Sequence, residues 1–124
     1  MDAQPKKVLV VEDDEVIVGL ISHILTRNSY VVHTTFDALE ADGMLSRDQY
    51  DAILLDLKMP NGGVDFIRRI ERSNPALLEK IIVVTAAFDE VLKVADLPLH
   101  AIVRKPFEIA ALLDTVRTCV DQES

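Results

Sequence analysis

The chain has 124 residues, 49% hydrophobic and 27% charged, which suits a single domain over 1–124 with its core at about 6–121 and excludes a disordered segment. Thirteen basic against 21 acidic residues leave a net charge of −8, and no local basic patch offsets it, so direct nucleic-acid binding is not expected. No apolar signal segment and no run long enough to span a bilayer is present, and the one cysteine, Cys119, excludes an internal disulfide and any multi-cysteine metal site; the chain reads as cytoplasmic, with no membrane contact.

After a polar lead, residues 8–11 form a continuous apolar run, the mark of a strand buried on both faces. Val16, Ile17, Leu20, Ile21, Ile24 and Leu25 then recur at the spacing of one helix face. Val31 and Val32, followed by the β-branched Thr34 and Thr35, predict a second strand whose polar later part belongs at an edge. A helix over about 37–46 follows, weakened by Gly43, and residues 52–55 make a third strand that ends in Asp56. The stretch "MPNGG" breaks the chain, because Pro60 stops a helix and Asn61, Gly62 and Gly63 permit positive φ. Val64, Ile67 and Ile70 form the next helical stripe, closed by an Asn74-Pro75 turn. "KIIVVT" is the clearest strand; a short helix over 89 to about 95 precedes Pro98, and "AIVRKP" is a fifth strand halted by Pro106. Ile109, Leu112, Leu113, Val116 and Cys119 close the chain with an amphipathic helix, so Cys119 is expected to pack rather than react.

Five strands alternating with five helices predict a doubly wound parallel α/β sheet, and ligands of such sheets bind beyond the carboxyl ends of the strands. Glu12 and Asp13 follow the first strand, Asp56 the third; Thr85 ends the fourth and Lys105 follows the fifth. Singly each has an ordinary explanation: Asp14 and Glu15 read as turn or helix-cap residues, a Thr ending a strand reflects β propensity, and a lone Lys is a solvated charge. Together they bring oxygen donors and a cation to one edge of an apolar sheet. Clustered carboxylates need a counter-charge, and hard oxygen ligands favour Mg²⁺, which takes one or two carboxylates and leaves Asp56 free as a nucleophile toward phosphorus.

The motifs "VLVVEDD", "DAILLDLKMP", "IIVVTA" and "VRKPF", in this order and over nearly the whole chain, resemble the receiver domains of two-component response regulators. The resemblance implies a flavodoxin-like (βα)5 fold with strand order 2-1-3-4-5. It implies Asp56 as phosphoacceptor, with Mg²⁺ held by Glu12, Asp13, Asp56 and the main-chain carbonyl of Lys58. Thr85 and the N–H of Ala86 would meet the phosphoryl group, Lys105 would bridge to it, and the Lys105-Pro106 bond would be cis. The donor would be a histidine kinase or histidine phosphotransfer protein, and the only catalysis would be of the chain's own phosphorylation and dephosphorylation. Its output would pass to a protein partner or a linked effector domain.

The chain departs from the family pattern in three places. The loop "MPNGGVDF" is one residue shorter than usual, the span from Thr85 to Lys105 is about two residues shorter, and Ile102 stands where many receivers carry an aromatic that turns inward on activation. The rival readings are a degenerate receiver that binds partners without phosphorylation, a flavodoxin-like cofactor protein and an aspartate phosphatase. Glu12, Asp13 and Asp14 would repel a cofactor phosphate, and Lys58 stands where such phosphatases place a second acid. His23, His33 and His100 show no ligand spacing. Starting at Met1 and ending soon after its last helix, the chain reads as a stand-alone receiver or the N-terminal part of a longer protein.

Overall fold

The computed structural model describes residues 4–122. Its strands are β1 (Lys7–Val11), β2 (Val31–Thr35), β3 (Ala52–Leu55), β4 (Ile81–Thr85) and β5 (Ala101–Arg104), all parallel in the order β2-β1-β3-β4-β5. The helices are α1 (Glu15–Arg27), α2 (Ala38–Arg47), α3 (Gly63–Ser73), α4 (Phe88–Val91) and α5 (Ile109–Val120). This is the flavodoxin-like fold with β2 and β5 at the edges.

Alternation along the strands divides the core into two layers. Leu9, Val11, Ile53, Leu55, Ile81 and Val83 pack with Ala41 of α2, Phe66, Ile67 and Ile70 of α3, and Val94. Val8, Val10, Ala52, Leu54, Ile82 and Val84 face Ile21 and Leu25 of α1 and Leu112, Val116 and Cys119 of α5. The central strands are therefore apolar on both faces, which is why they read as unbroken runs.

Side-chain caps start two of the helices. Asp14 accepts the N–H groups of Val16 and Ile17 to begin α1, and Asp37 accepts that of Leu39 to begin α2, one residue later than the sequence pattern placed it. Asn61 and Gly62 take the left-handed region at φ of 65° and 72°, whereas Gly63 opens α3. Its role is close approach: a Cβ there would lie 2.5 Å from the Asp56 carbonyl oxygen and 2.6 Å from Leu57 Cα.

Two elements differ from the sequence expectation. The Asn74-Pro75 turn runs on as a 3-10 helix over Pro75–Lys80. The helix expected over 89 to about 95 is a single α-helical turn, Phe88–Val91, continued by three-residue bonds from Lys93 N–H to Glu90 O and from Val94 N–H to Val91 O. Arg68 of α3 holds the turns that follow. Its Nη2 donates to the Lys93 carbonyl at 2.6 Å, and the Leu97 N–H bonds Val94 O, a further three-residue bond.

Candidate functional site

Ladder bonds that run past the strand ends fix the site. The N–H of Glu12 donates to Thr35 O at 3.1 Å, that of Asp56 to Val11 O at 3.0 Å, and that of Lys105 to Thr85 O at 3.0 Å. Each polar residue is thus held as an extra rung beyond its apolar strand. The sheet interior is apolar, and Glu12, Asp56 and Thr85 are only 3%, 8% and 2% exposed, so each must find partners.

Lys105 supplies two of them. Its Nζ lies 2.7 Å from Glu12 Oε1 and 3.2 Å from Asp56 Oδ2. The remaining oxygens are also engaged: Glu12 Oε2 accepts the Asp14 N–H at 3.1 Å, and Asp56 Oδ1 accepts the Thr85 hydroxyl at 2.8 Å and the Lys58 N–H at 3.3 Å. The Lys105-Pro106 peptide bond is cis.

Burial pushes the Glu12 carboxyl above its ordinary range; the hydrogen bonds from Lys105 and Asp14 oppose this, and the neighbouring Asp56 charge reinforces it. Burial acts on Lys105 in the opposite sense, favouring the neutral amine. The Glu12 bond and the charges of Asp56 and Glu12 outweigh it and hold the ammonium above its usual value. One oxygen from each of Glu12, Asp13 and Asp56 falls within 4.8 Å of the others. Three carboxylates face one ammonium, leaving an excess of negative charge on hard oxygen donors, and this donor set fits a small divalent cation.

A cleft of about 360 Å³ opens over Asp56, lined also by Lys58, Thr85, Ala86, Ala87, Asp89 and Lys105. The structure therefore brings together Glu12, Asp13, Asp56, Lys58, Thr85, Ala86 and Lys105. Ile102 lies away from the cleft on β5, 39% exposed and flanked by half-buried Ala101 and Val103. Two participants had no signature in the sequence. Ala87 donates its N–H to Thr85 Oγ1 at 3.1 Å, a bond set by the loop's path, and Asp89 reaches the cleft only because α4 begins so soon after β4. Asn61, read only as a turn residue, donates to the Asp37 cap at 2.7 Å and ties the loop after Asp56 to the start of α2.

Comparison with known proteins places this geometry. The chain is 32% identical over 122 residues to Response regulator ArlR of Staphylococcus aureus, covering 94% of this chain and 53% of that protein. It thus spans about half the length of the curated relatives it matches. A solved structure of the receiver domain of sensor histidine kinase PA1611 from Pseudomonas aeruginosa PAO1, with magnesium coordinated in its active-site cleft, aligns at a TM-score of 0.85. The identity is 25%, covering 96% of this chain and 100% of that one. Chemotaxis response regulator CheY4 of Vibrio cholerae aligns at a TM-score of 0.82 and 25% identity, covering 94% and 99%. Residues 8–117 match the family described as Response regulator receiver domain, an interval that takes in all of the five strands but Lys7 and every side chain gathered around Asp56. With sequence and architecture agreeing over that whole interval, the chain belongs to the response regulator receiver family.

Proposed function

We propose that this chain is a phosphoacceptor, receiving a phosphoryl group on Asp56 from a phosphohistidine of a histidine kinase or histidine phosphotransfer protein. The observation that carries the reading is the buried Asp56 carboxylate, with Lys105 on one oxygen and the Thr85 hydroxyl on the other, facing an open cleft. In the transfer an Asp56 oxygen lone pair forms the O–P bond as the N–P bond of phosphohistidine breaks. The released electron pair returns to the imidazole, which takes up a proton from water.

Lys105 is positioned to neutralise a phosphoryl oxygen, while the Thr85 hydroxyl and Ala86 N–H are positioned to donate to the others. Glu12, Asp13, Asp56 and the main-chain carbonyl of Lys58 would hold Mg²⁺, which when bound supplies positive charge to the transferring group. The magnesium in the PA1611 receiver supports this assignment for a similar cleft. Catalysis would be confined to the chain's own phosphorylation and dephosphorylation in the cytoplasm, and the output would be altered binding to a protein partner or linked effector domain. Direct contact with nucleic acid forms no part of this reading, given the net charge of −8. Among the described residues no helix is long and apolar enough to cross a membrane.

The test is Asp56→Asn, which keeps the side-chain shape and removes the nucleophile. With Mg²⁺ and a phosphohistidine donor, the parent is expected to take up hydroxylamine-sensitive phosphate and the variant none. Equal incorporation in both proteins would remove Asp56 from the role.

A further inference from the structure

Arg104 is the last residue of β5, and its guanidinium carbon lies 4.5 Å from the centre of the Phe88 ring. Phe88 is 52% exposed and lies three residues beyond Thr85, while Arg104 is the partner of Thr85 across the β4–β5 ladder. The stack therefore sits at the end of β4. A continuous path joins it to Asp56: Thr85 Oγ1 donates to Asp56 Oδ1 at 2.8 Å and itself accepts the Ala87 N–H at 3.1 Å, and Phe88 is the next residue.

The two members of the stack are anchored unequally. Arg104 belongs to a paired strand, and the bond from Lys105 N–H to Thr85 O holds the ladder immediately beyond it. Phe88 belongs to neither core layer, and its own N–H reaches only Ala86 O within the same turn. Movement at the end of β4 would therefore displace Phe88 before Arg104.

We infer that the Phe88–Arg104 stack reads out phosphorylation of Asp56: it is closed in the unphosphorylated chain and opens when the phosphoryl group draws the Ala87 N–H away from Thr85 Oγ1. The inference rests on the phosphoacceptor reading. A phosphoryl group adds anionic oxygens to the cleft that Ala87 lines. An N–H bond to an anionic oxygen is about twice as strong as one to a neutral hydroxyl, so the Ala87 N–H changes partner. Turning that peptide turns the adjoining Phe88, whereas Arg104 stays with its strand. An exposed cation–π contact is weak and yields. The result is an uncovered ring and a freed guanidinium, a change of surface that a partner can distinguish. Ile102 has no ring to swing and no part in this movement.

The chain contains no tryptophan, so Phe88→Trp places a single indole in the stack. Phosphorylation by phosphoramidate with Mg²⁺ is followed separately as the intact-mass gain of one phosphoryl group. Indole emission is expected to shift to the red, and its acrylamide quenching to rise about twofold, in proportion to the phosphorylated fraction as the stack opens. Adding Arg104→Ala should give high quenching at the outset, with no further change. Full phosphorylation with an unchanged indole overturns the readout and leaves the phosphoacceptor reading intact; no mass gain overturns both. In the unsubstituted protein, the Arg104 Nε–H resonance should move on phosphorylation toward its position in Phe88→Leu. A stationary resonance overturns the inference independently of the indole.

Discussion

Asp13 differs from its two carboxylate neighbours. Lys105 pairs with Glu12 and Asp56, while Asp13 is exposed and adds negative charge to their side of the site. Its removal should relieve repulsion. Asp13→Asn is expected to raise stability in chelator by about 0.5 kcal/mol, or about 2–3 °C in Tm, and to lose most of the Tm gain that Mg²⁺ gives the parent. A full Mg²⁺-dependent gain in the variant would show that Asp13 is not a ligand. Cys119 presents the opposite situation, a group sealed from solvent. Burial pushes its thiol from 9.0 up to about 11, assisted by Asp51, with Lys80 and the Gln122 hydrogen bond opposing. Because the folded chain keeps this proton after the unfolded chain has released it, stability falls as pH rises between about 9 and about 11. Across that window the loss amounts to roughly 2 to 3 kcal/mol. In urea melts Cys119→Ala should lose that much less than the parent across this window; equal losses would place the alkaline sensitivity elsewhere.

At the scale of elements, the junction of β3 with α3 is the least forgiving. Gly63 lies against the backbone that carries Asp56, and backbone atoms cannot yield as a flexible side chain would. Gly63→Ala is expected to cost about 2–3 kcal/mol and to slow phosphorylation by displacing Asp56; normal stability would show that the loop relaxes freely. This requirement was hidden in the sequence, where Gly62 and Gly63 look equivalent as turn residues. The extent of α4 was hidden as well, because the change to three-residue bonds at Lys93 and Val94 leaves no mark in the apolar pattern, and neither does the bond from Arg68, 25 residues away, that holds the Lys93 carbonyl. The 3-10 helix at Pro75–Lys80 is too short to show an apolar stripe. The five strands were legible because buried parallel strands are apolar on both faces. Glu12, Asp13, Asp56, Thr85 and Lys105 were legible because parallel topology sends every strand's carboxyl end to the same edge. The link from Thr85 through Ala87 toward Phe88 depends on a backbone N–H, which every residue but proline carries and no motif marks.

For the whole molecule, the decisive feature is a sheet whose two faces carry separate cores. Ile21 of α1 packs in one layer and Ile67 of α3 in the other, and a sheet of hydrogen-bonded backbone stands between them. Truncation to valine should cost about 0.5–1.5 kcal/mol at either position. The double variant should lose the sum to within about 0.5 kcal/mol, since residues without shared partners behave independently. A larger coupling energy in a urea-melt double-mutant cycle would mean that the sheet transmits packing strain from face to face. Independence would give this chain two evolvable surfaces: substitutions accumulating on the α1 and α5 side could remodel recognition there while the layer beneath α3 and α4 kept its tuning, each face drifting under its own selection.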